Sequence, residues 1–294
     1  MESIRKLVVV GVGLIGGSFA AALRRTGRVA EIVGMGRTRA SLEAAAELGV
    51  IDRIGTDWGE ALAGAELVLL GMPVGQMEPV MCAVAEHLDA HTLVTDAGST
   101  KQDVVAAAYR GLGTKVGQFV PSHPIAGAEK SGVRAAKADL FRDRRVVLTP
   151  VPENPQSAIE RVRALWQACG AVVSEMTARD HDRVFAAVSH LPHVLAFALV
   201  EELAARDDAA MLFSYAAGGF RDFTRIAGSH PEMWRDICLA NRAALLDEID
   251  AFLAQLQRAR HMIEAGDAAG IEALFERARR ARNEWASPDR PSGE

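Results

Sequence analysis

Cysteine is scarce in this chain: Cys82, Cys169 and Cys238 lie far apart and form no CxxC pair. An odd, scattered set does not build the disulfide framework of a secreted domain, so buried thiols in a reducing compartment are expected. An excess of positive charge is lacking too. With 33 Lys and Arg against 38 Asp and Glu, the formal net charge is -5, which provides no general field for drawing in a polyanion. No nucleic-acid partner is expected; a small-molecule ligand is. No apolar run approaches the roughly 20 residues that cross a bilayer. MESIRKLVVVGVGL lacks the long apolar core and cleavage site of a signal peptide, so a cytoplasmic protein without a membrane partner is expected. What the chain does have is 294 residues, 49% of them hydrophobic and 24% charged, enough for a sizeable core divided into two domains.

Short apolar runs alternate with amphipathic segments through the first half. Leu7 to Val10, Glu31 to Gly34, Leu67 to Leu70, Leu93 to Asp96, Phe119 to Pro121, Val146 to Thr149 and Ala171 to Met176 read as strands. Helical patterns lie between them, at Leu14 to Thr26, Ser41 to Leu48, Val74 to His87 and Lys101 to Leu112. Continuous apolar strands joined by helices predict a parallel sheet covered on both faces, a doubly wound Rossmann-type α/β domain over residues 1–176. From 177 to 286 the strand signals stop, and an all-α dimerisation domain is expected. One helix from Pro231 to about Glu264, with Ile237, Leu245, Ile249, Phe252, Leu256 and Ile263 in helical register, would span roughly 50 Å. Such a stripe suits a homodimer interface. Residues 287–294, SPDRPSGE, read as a disordered tail.

Gly11-Val12-Gly13-Leu14-Ile15-Gly16 follows the first strand and opens a helix. There Gly11 permits a tight turn, Gly13 lets the backbone approach a pyrophosphate, and Gly16 allows helix and strand to pack closely. The helix amino terminus adds free N–H donors. A site for NAD usually carries Asp or Glu about 20 residues on, to accept from the ribose hydroxyls. This chain has Gly36, then Arg37-Thr38-Arg39. Guanidinium groups and a hydroxyl suit a 2′-phosphate, so NADP is the expected cofactor, with NAD possible. Arg39 can equally decorate the next helix.

In doubly wound sheets ligands lie beyond the carboxyl ends of strands. Three segments sit there: Gly71-Met72-Pro73, Asp96-Ala97-Gly98-Ser99-Thr100-Lys101 and Ser122-His123-Pro124. His123, at the mouth of the sheet, can polarise or deprotonate a substrate hydroxyl. Ser99 can reach the same place, while Asp96 and Thr100 read as loop and cap residues. In the helical half, Pro192 within Val188-Ser189-His190-Leu191-Pro192-His193 predicts a bend, which either aims polar groups into a cleft or is a simple kink. No further ligands accompany His190 and His193, so no metal is expected. Gly218 to Arg225 reads as a glycine-broken loop in which Arg225, flanked by the apolar Phe223 and Ile226, is partly buried and paired with an anion. His181, with His87, His91, His230 and His261, reads as surface or structural.

VVVGVGLIGGS, TDAGSTK, SHPIAGAEKSGV, VSHLPH, GGFRDFTRIA and PEMWRDI, in this order between Val8 and Ile237, resemble the prephenate/arogenate dehydrogenase family of tyrosine biosynthesis. The resemblance implies oxidation at the ring carbon bearing the hydroxyl, with loss of the ring carboxylate as carbon dioxide. It implies that His123 accepts a hydrogen bond from that hydroxyl, that Ser99 orients the hydroxyl or His123, and that Arg225 binds a carboxylate. It places His193, Ser189 and Glu129 in the substrate pocket, and Asp222 and Trp234 around it. Two other readings stand beside it: another 3-hydroxyacid dehydrogenase or imine reductase of similar architecture, and a redox sensor that binds the nucleotide without turnover.

Overall fold

The computed structural model describes residues 3–127 and 130–286. Six strands form a parallel sheet: β1 (Ile4–Val10), β2 (Val29–Met35), β3 (Arg53–Ile54), β4 (Leu67–Leu70), β5 (Leu93–Asp96) and β6 (Phe119–Val120). Their order is β3-β2-β1-β4-β5-β6, so the direction of winding reverses between β1 and β4. Helices α1 (Leu14–Arg25), α2 (Arg39–Glu47), α3 (Trp58–Leu62), α4 (Met77–Ala85) and α5 (Gln102–Leu112) provide the connections. Alternation along β1 shows why both faces are covered. Leu7 and Val9 join one apolar cluster with Phe19, Leu23 and Trp166, while Val8 and Val10 join another with Met77, Met81 and Val84.

The last strands depart from the expectation of one sheet. β7 (Ser122–Pro124), β8 (Arg145–Leu148) and β9 (Val172–Glu175) form a separate sheet in which β7 runs antiparallel to β8. Pro121 ends the β6 run, because proline has no N–H for a ladder. His123 therefore lies on a strand and not in a post-strand loop. Helix α6 (Gln156–Ala168) joins β8 to β9.

The helical segments are α7 (Ala178–Phe185), a π turn (Ala186–His190), α8 (Leu191–Ala204), α9 (Ala209–Ser214), α10 (Gly218–Thr224), a 3₁₀ turn (Arg225–Gly228), α11 (Pro231–Ala240), α12 (Arg242–Glu264) and α13 (Ala268–Ala286). Three expectations fail here. Gly218 to Thr224 is a helix, not a loop, since none of its glycines needs a positive φ. The single helix from Pro231 breaks at Asn241, whose buried side chain is drawn away by bonds to Asp182 and His190. Among the described residues one helical run, Ala178–Ala204, has the length and composition to cross a bilayer, against expectation. It also carries His181, Asp182 and His190, buried and hydrogen-bonded within the protein.

The described residues up to Leu245 form one compact unit and those from Leu246 on another. The change of structural class near 176 is thus not where packing divides the chain. Leu253, Leu256, Ile263 and Phe275 of the second unit are exposed apolar side chains. The expected tail at 287–294 lies outside the described residues.

Candidate active site

The turn between β1 and α1 shows why its glycines are needed. Gly11 has φ of 91°, and a Cβ there would meet the Gly71 carbonyl carbon at 2.8 Å. A Cβ on Gly16 would lie 2.4 Å from the Gly11 oxygen, whereas Gly13 faces open space. No side chain caps α1 and no acidic residue lies in its first turn, so the N–H groups of Leu14, Ile15 and Gly16 have neither an intrahelical acceptor nor a competing anion. Beside this turn opens a cleft of about 630 Å³, lined among others by Gly11, Gly13, Gly36, Arg37, Thr38 and Pro73. Its size and open glycine face fit a dinucleotide. Arg37 is exposed, and with the Gln76 amide turned so that its oxygen faces the guanidinium, the two terminal nitrogens of Arg37 lie 3.1 and 3.2 Å from that oxygen. Arg39 also lines the cleft and pairs with Glu43 at 2.8 Å, the helix-decorating role left open by the sequence.

A second set of groups gathers beyond the carboxyl ends of β5 and β6. Lys101 and Asp96 form an ion pair with no exposed surface. Burying two charges is costly unless they are paired and further hydrogen-bonded, and here both are. Asp96 accepts from the Gly98 N–H at 2.7 Å and from the Ser122 N–H at 2.9 Å, and Lys101 Nζ donates to the Ser122 carbonyl at 3.0 Å. The Ser122 hydroxyl donates to the Asp96 carbonyl, and Trp166 Nε1 donates to that hydroxyl at 3.1 Å. Ser122 is thereby tied to β5 from several sides, which sets the position of the next residue, His123. Side chains alternate along a strand, so burial of Ser122 turns His123 the other way.

His123 Nδ1 lies 2.8 Å from His181 Nε2, and His181 Nδ1 lies 2.8 Å from Asp182 Oδ1. Asp182 also accepts from the main-chain N–H groups of Lys101 and Gln102, each at 2.8 Å, at the start of α5. Burial pushes the Asp182 carboxyl up, but these hydrogen bonds outweigh it and hold the group below the usual carboxylate range. An ionised carboxylate only accepts, so His181 carries its proton on Nδ1, His123 donates to it from Nδ1, and His123 Nε2 keeps a lone pair. Burial, followed by the charges of His181, Lys101 and His190, holds His123 well below the ordinary histidine range. Burial likewise lowers His181, against the opposing pull of Asp182. His123 is therefore an uncharged acceptor at neutral pH.

Across α8, His193 stacks on Trp234 with ring centroids 3.6 Å apart, and its Nδ1 bonds the Ser189 carbonyl at 2.9 Å. Trp234 is buried, and its Nε1 donor has no partner among the described residues. Ser99 is half-buried after β5 and bonds His190 through its main chain. Arg225 departs from expectation: it is exposed, with no ion pair among the described residues, because it opens a short 3₁₀ turn instead of packing inward. Its charge still acts on His193. Asp222 is exposed, and Glu129 lies outside the described residues. His181, Asp182 and Asn241 are site residues that the sequence reading missed. His181, Phe185, Ser189 and His193 recur at a spacing of four, one helical row, and that row was the available signal.

A doubly wound dinucleotide cleft with a neutral histidine acceptor beyond the strand ends defines a nicotinamide-dependent oxidoreductase. Residues 19–175 match the family described as prephenate dehydrogenase, nucleotide-binding domain, and residues 177–277 the one described as prephenate dehydrogenase, dimerization domain. The chain is 37% identical to prephenate dehydrogenase of Bacillus subtilis over 93% of its own length and 74% of that protein's. It is 34% identical to cyclohexadienyl dehydrogenase of Zymomonas mobilis over 96% of each. A crystal structure of prephenate dehydrogenase from Aquifex aeolicus with hydroxyphenyl propionate and NAD+ is 36% identical, with a TM-score of 0.90 over 96% of this chain and 98% of that one. The chain belongs to the prephenate dehydrogenase family.

Proposed function

We propose that the chain oxidatively decarboxylates prephenate, arogenate or both in tyrosine biosynthesis, in the cytoplasm, and prefers NADP to NAD. The observation that carries this reading is the uncharged His123, with Nδ1 engaged by His181 and Nε2 without a hydrogen-bond partner among the described residues. When bound, the nicotinamide supplies the acceptor for the hydride. His123 Nε2 accepts the hydrogen bond of the substrate hydroxyl and takes up positive charge as the carbonyl develops; loss of the ring carboxylate as carbon dioxide leaves the ring aromatic. Ser99 orients the hydroxyl or His123. Arg225 binds a substrate carboxylate, a role suited to an exposed cation close to His193. His193 and Trp234 form the pocket wall with Ser189, and Trp234 Nε1 offers a donor to the ligand. Asp222 and Glu129 complete the pocket.

The NADP preference rests on Gly36 and Arg37. No carboxylate stands at Gly36 to repel a 2′-phosphate, and Arg37 reaches across the cleft beside it. The A. aeolicus relative was solved with NAD+, so the cofactor choice is a property to be measured on this chain. We place a homodimer interface on the carboxy-terminal helices, which match the family's dimerization domain and expose Leu253, Leu256 and Ile263. The decisive experiment assays prephenate and arogenate, each with NAD and NADP, against simple 3-hydroxyacids. Turnover of the ring substrates with carbon dioxide release is expected. Preference for simple hydroxyacids, or tight nucleotide binding without turnover, would overturn the reading.

A further inference from the structure

We propose that His181, held by Asp182, is a positioning residue that keeps His123 protonated on Nδ1 and so presents a bare Nε2 to the substrate hydroxyl. This rests on the reading of His123 given above. An isolated imidazole divides its proton between two nitrogens, and only one of those forms can accept at Nε2. Here the choice is made by two hydrogen bonds of 2.8 Å each, in which His123 Nδ1 donates to His181 Nε2 and His181 Nδ1 donates to Asp182. The far end is anchored. Asp182 takes two main-chain N–H groups at the start of α5, and its own carbonyl accepts from Asn241 Nδ2 at 2.8 Å. His181 has no exposed surface, so water does not substitute for His123 as the partner of its Nε2. Phe185 packs against both rings, with centroids 5.0 Å from His123 and 4.5 Å from His181, which fixes their planes. As positive charge grows on His123 during oxidation, the same chain stabilises it through the Asp182 carboxylate. In a serine-protease triad, losing the equivalent tautomer control costs about 10⁴-fold in turnover. The effect here is smaller, because a histidine stands between carboxylate and base.

The test uses the full-length protein and compares His181→Leu, His181→Gln and His123→Asn. Long-range ¹H–¹⁵N spectra of the imidazole nitrogens at pH 7 should show native His123 protonated on Nδ1 and bare on Nε2. In His181→Leu that preference should vanish and kcat fall roughly a hundredfold, with substrate KM little changed. In His181→Gln the side-chain oxygen still accepts from Nδ1, so the tautomer and most of the turnover should return. A native spectrum with Nε2 protonated would overturn the proposal, whatever the variants do. So would a folded His181→Leu, with native thermal unfolding, that keeps kcat or the tautomer. If His123→Asn itself retains native turnover, the assignment of His123 fails. If His123→Asn is crippled while His181→Leu is not, only the role of His181 fails.

Discussion

Lys101, Asp96, His181 and Asp182 have no exposed surface and bond one another or the main chain, whereas Arg37 and Arg39, which line the nucleotide cleft, and Arg225 are exposed. The first group lies where the dielectric is low and charges interact strongly, and its geometry is complete before any ligand arrives. The second group is screened by water and acts on a ligand only once its charge is brought alongside. On the proposed reading, chemistry is carried by groups that are arranged in advance, and affinity by groups that wait.

The comparison breaks first at His123. His123→Asn should lower kcat by roughly 10²- to 10⁴-fold with a modest change in KM, and an unchanged kcat would remove the histidine from the reaction. Lys101→Met leaves Asp96 buried without its cation, and urea denaturation should show a loss of about 3 to 5 kcal/mol; a near-native midpoint would mean that the buried pair is not the rigid base described. On the exposed side, Arg225→Ala should weaken apparent substrate binding by about 1.5 to 3 kcal/mol, the worth of one charge-assisted hydrogen bond, while cofactor affinity and unfolding stay native. Equal losses for substrate and cofactor would indicate damage to the fold.

Smaller effects sharpen the contrast. A charge-assisted bond of about 1.5 to 3 kcal/mol corresponds to a tenfold to hundredfold preference for NADP in kcat/KM. Arg37→Ala should erode it, and Gly36→Asp should weaken NADP use, since a Cβ at Gly36 meets nothing nearer than Leu42 at 3.6 Å. A native enzyme that uses NAD equally well would end that reading. The mildest effect concerns pH. Burial pushes His190 down to about 4 from an ordinary 6.5, so on acidification the unfolded chain binds its proton first. Stability is full above pH 6.5 and falls towards pH 4, by about 2 kcal/mol between pH 7 and pH 5 from this group. Thermal unfolding of His190→Gln should show a shallower decline than the native protein over that interval; identical slopes would remove His190 as the cause.

The nucleotide half was legible because its constraints are local. A glycine at positive φ, an apolar strand and an uncapped helix start all lie within a few residues, so Gly11, Gly13 and Gly16 could be read directly. His181 could not be read this way, since its partner His123 lies 58 positions away and only the tertiary fold joins them. Adjacent charged residues at Arg179, Asp180 and Arg183 also made the segment look like surface. Asn241 escaped for the opposite reason: the apolar repeat through Ile237 and Leu245 continues past it, while two buried hydrogen bonds end the helix. Arg225 was misjudged because apolar neighbours in sequence do not imply burial in a short turn that nothing covers.

The π turn at Ala186–His190 makes one helix answer to two alignments. Upstream, His181 and Phe185 are phased to the ring of His123; downstream, His193 is phased to Trp234. A π turn takes up one more residue than an α turn in about the same rotation, so the residues after it sit about 100° behind where an unbroken α-helix would put them, and the turn sets the angle between the two groups. The same sequence wound as an unbroken α-helix would keep every side chain named above and still aim the two groups past each other.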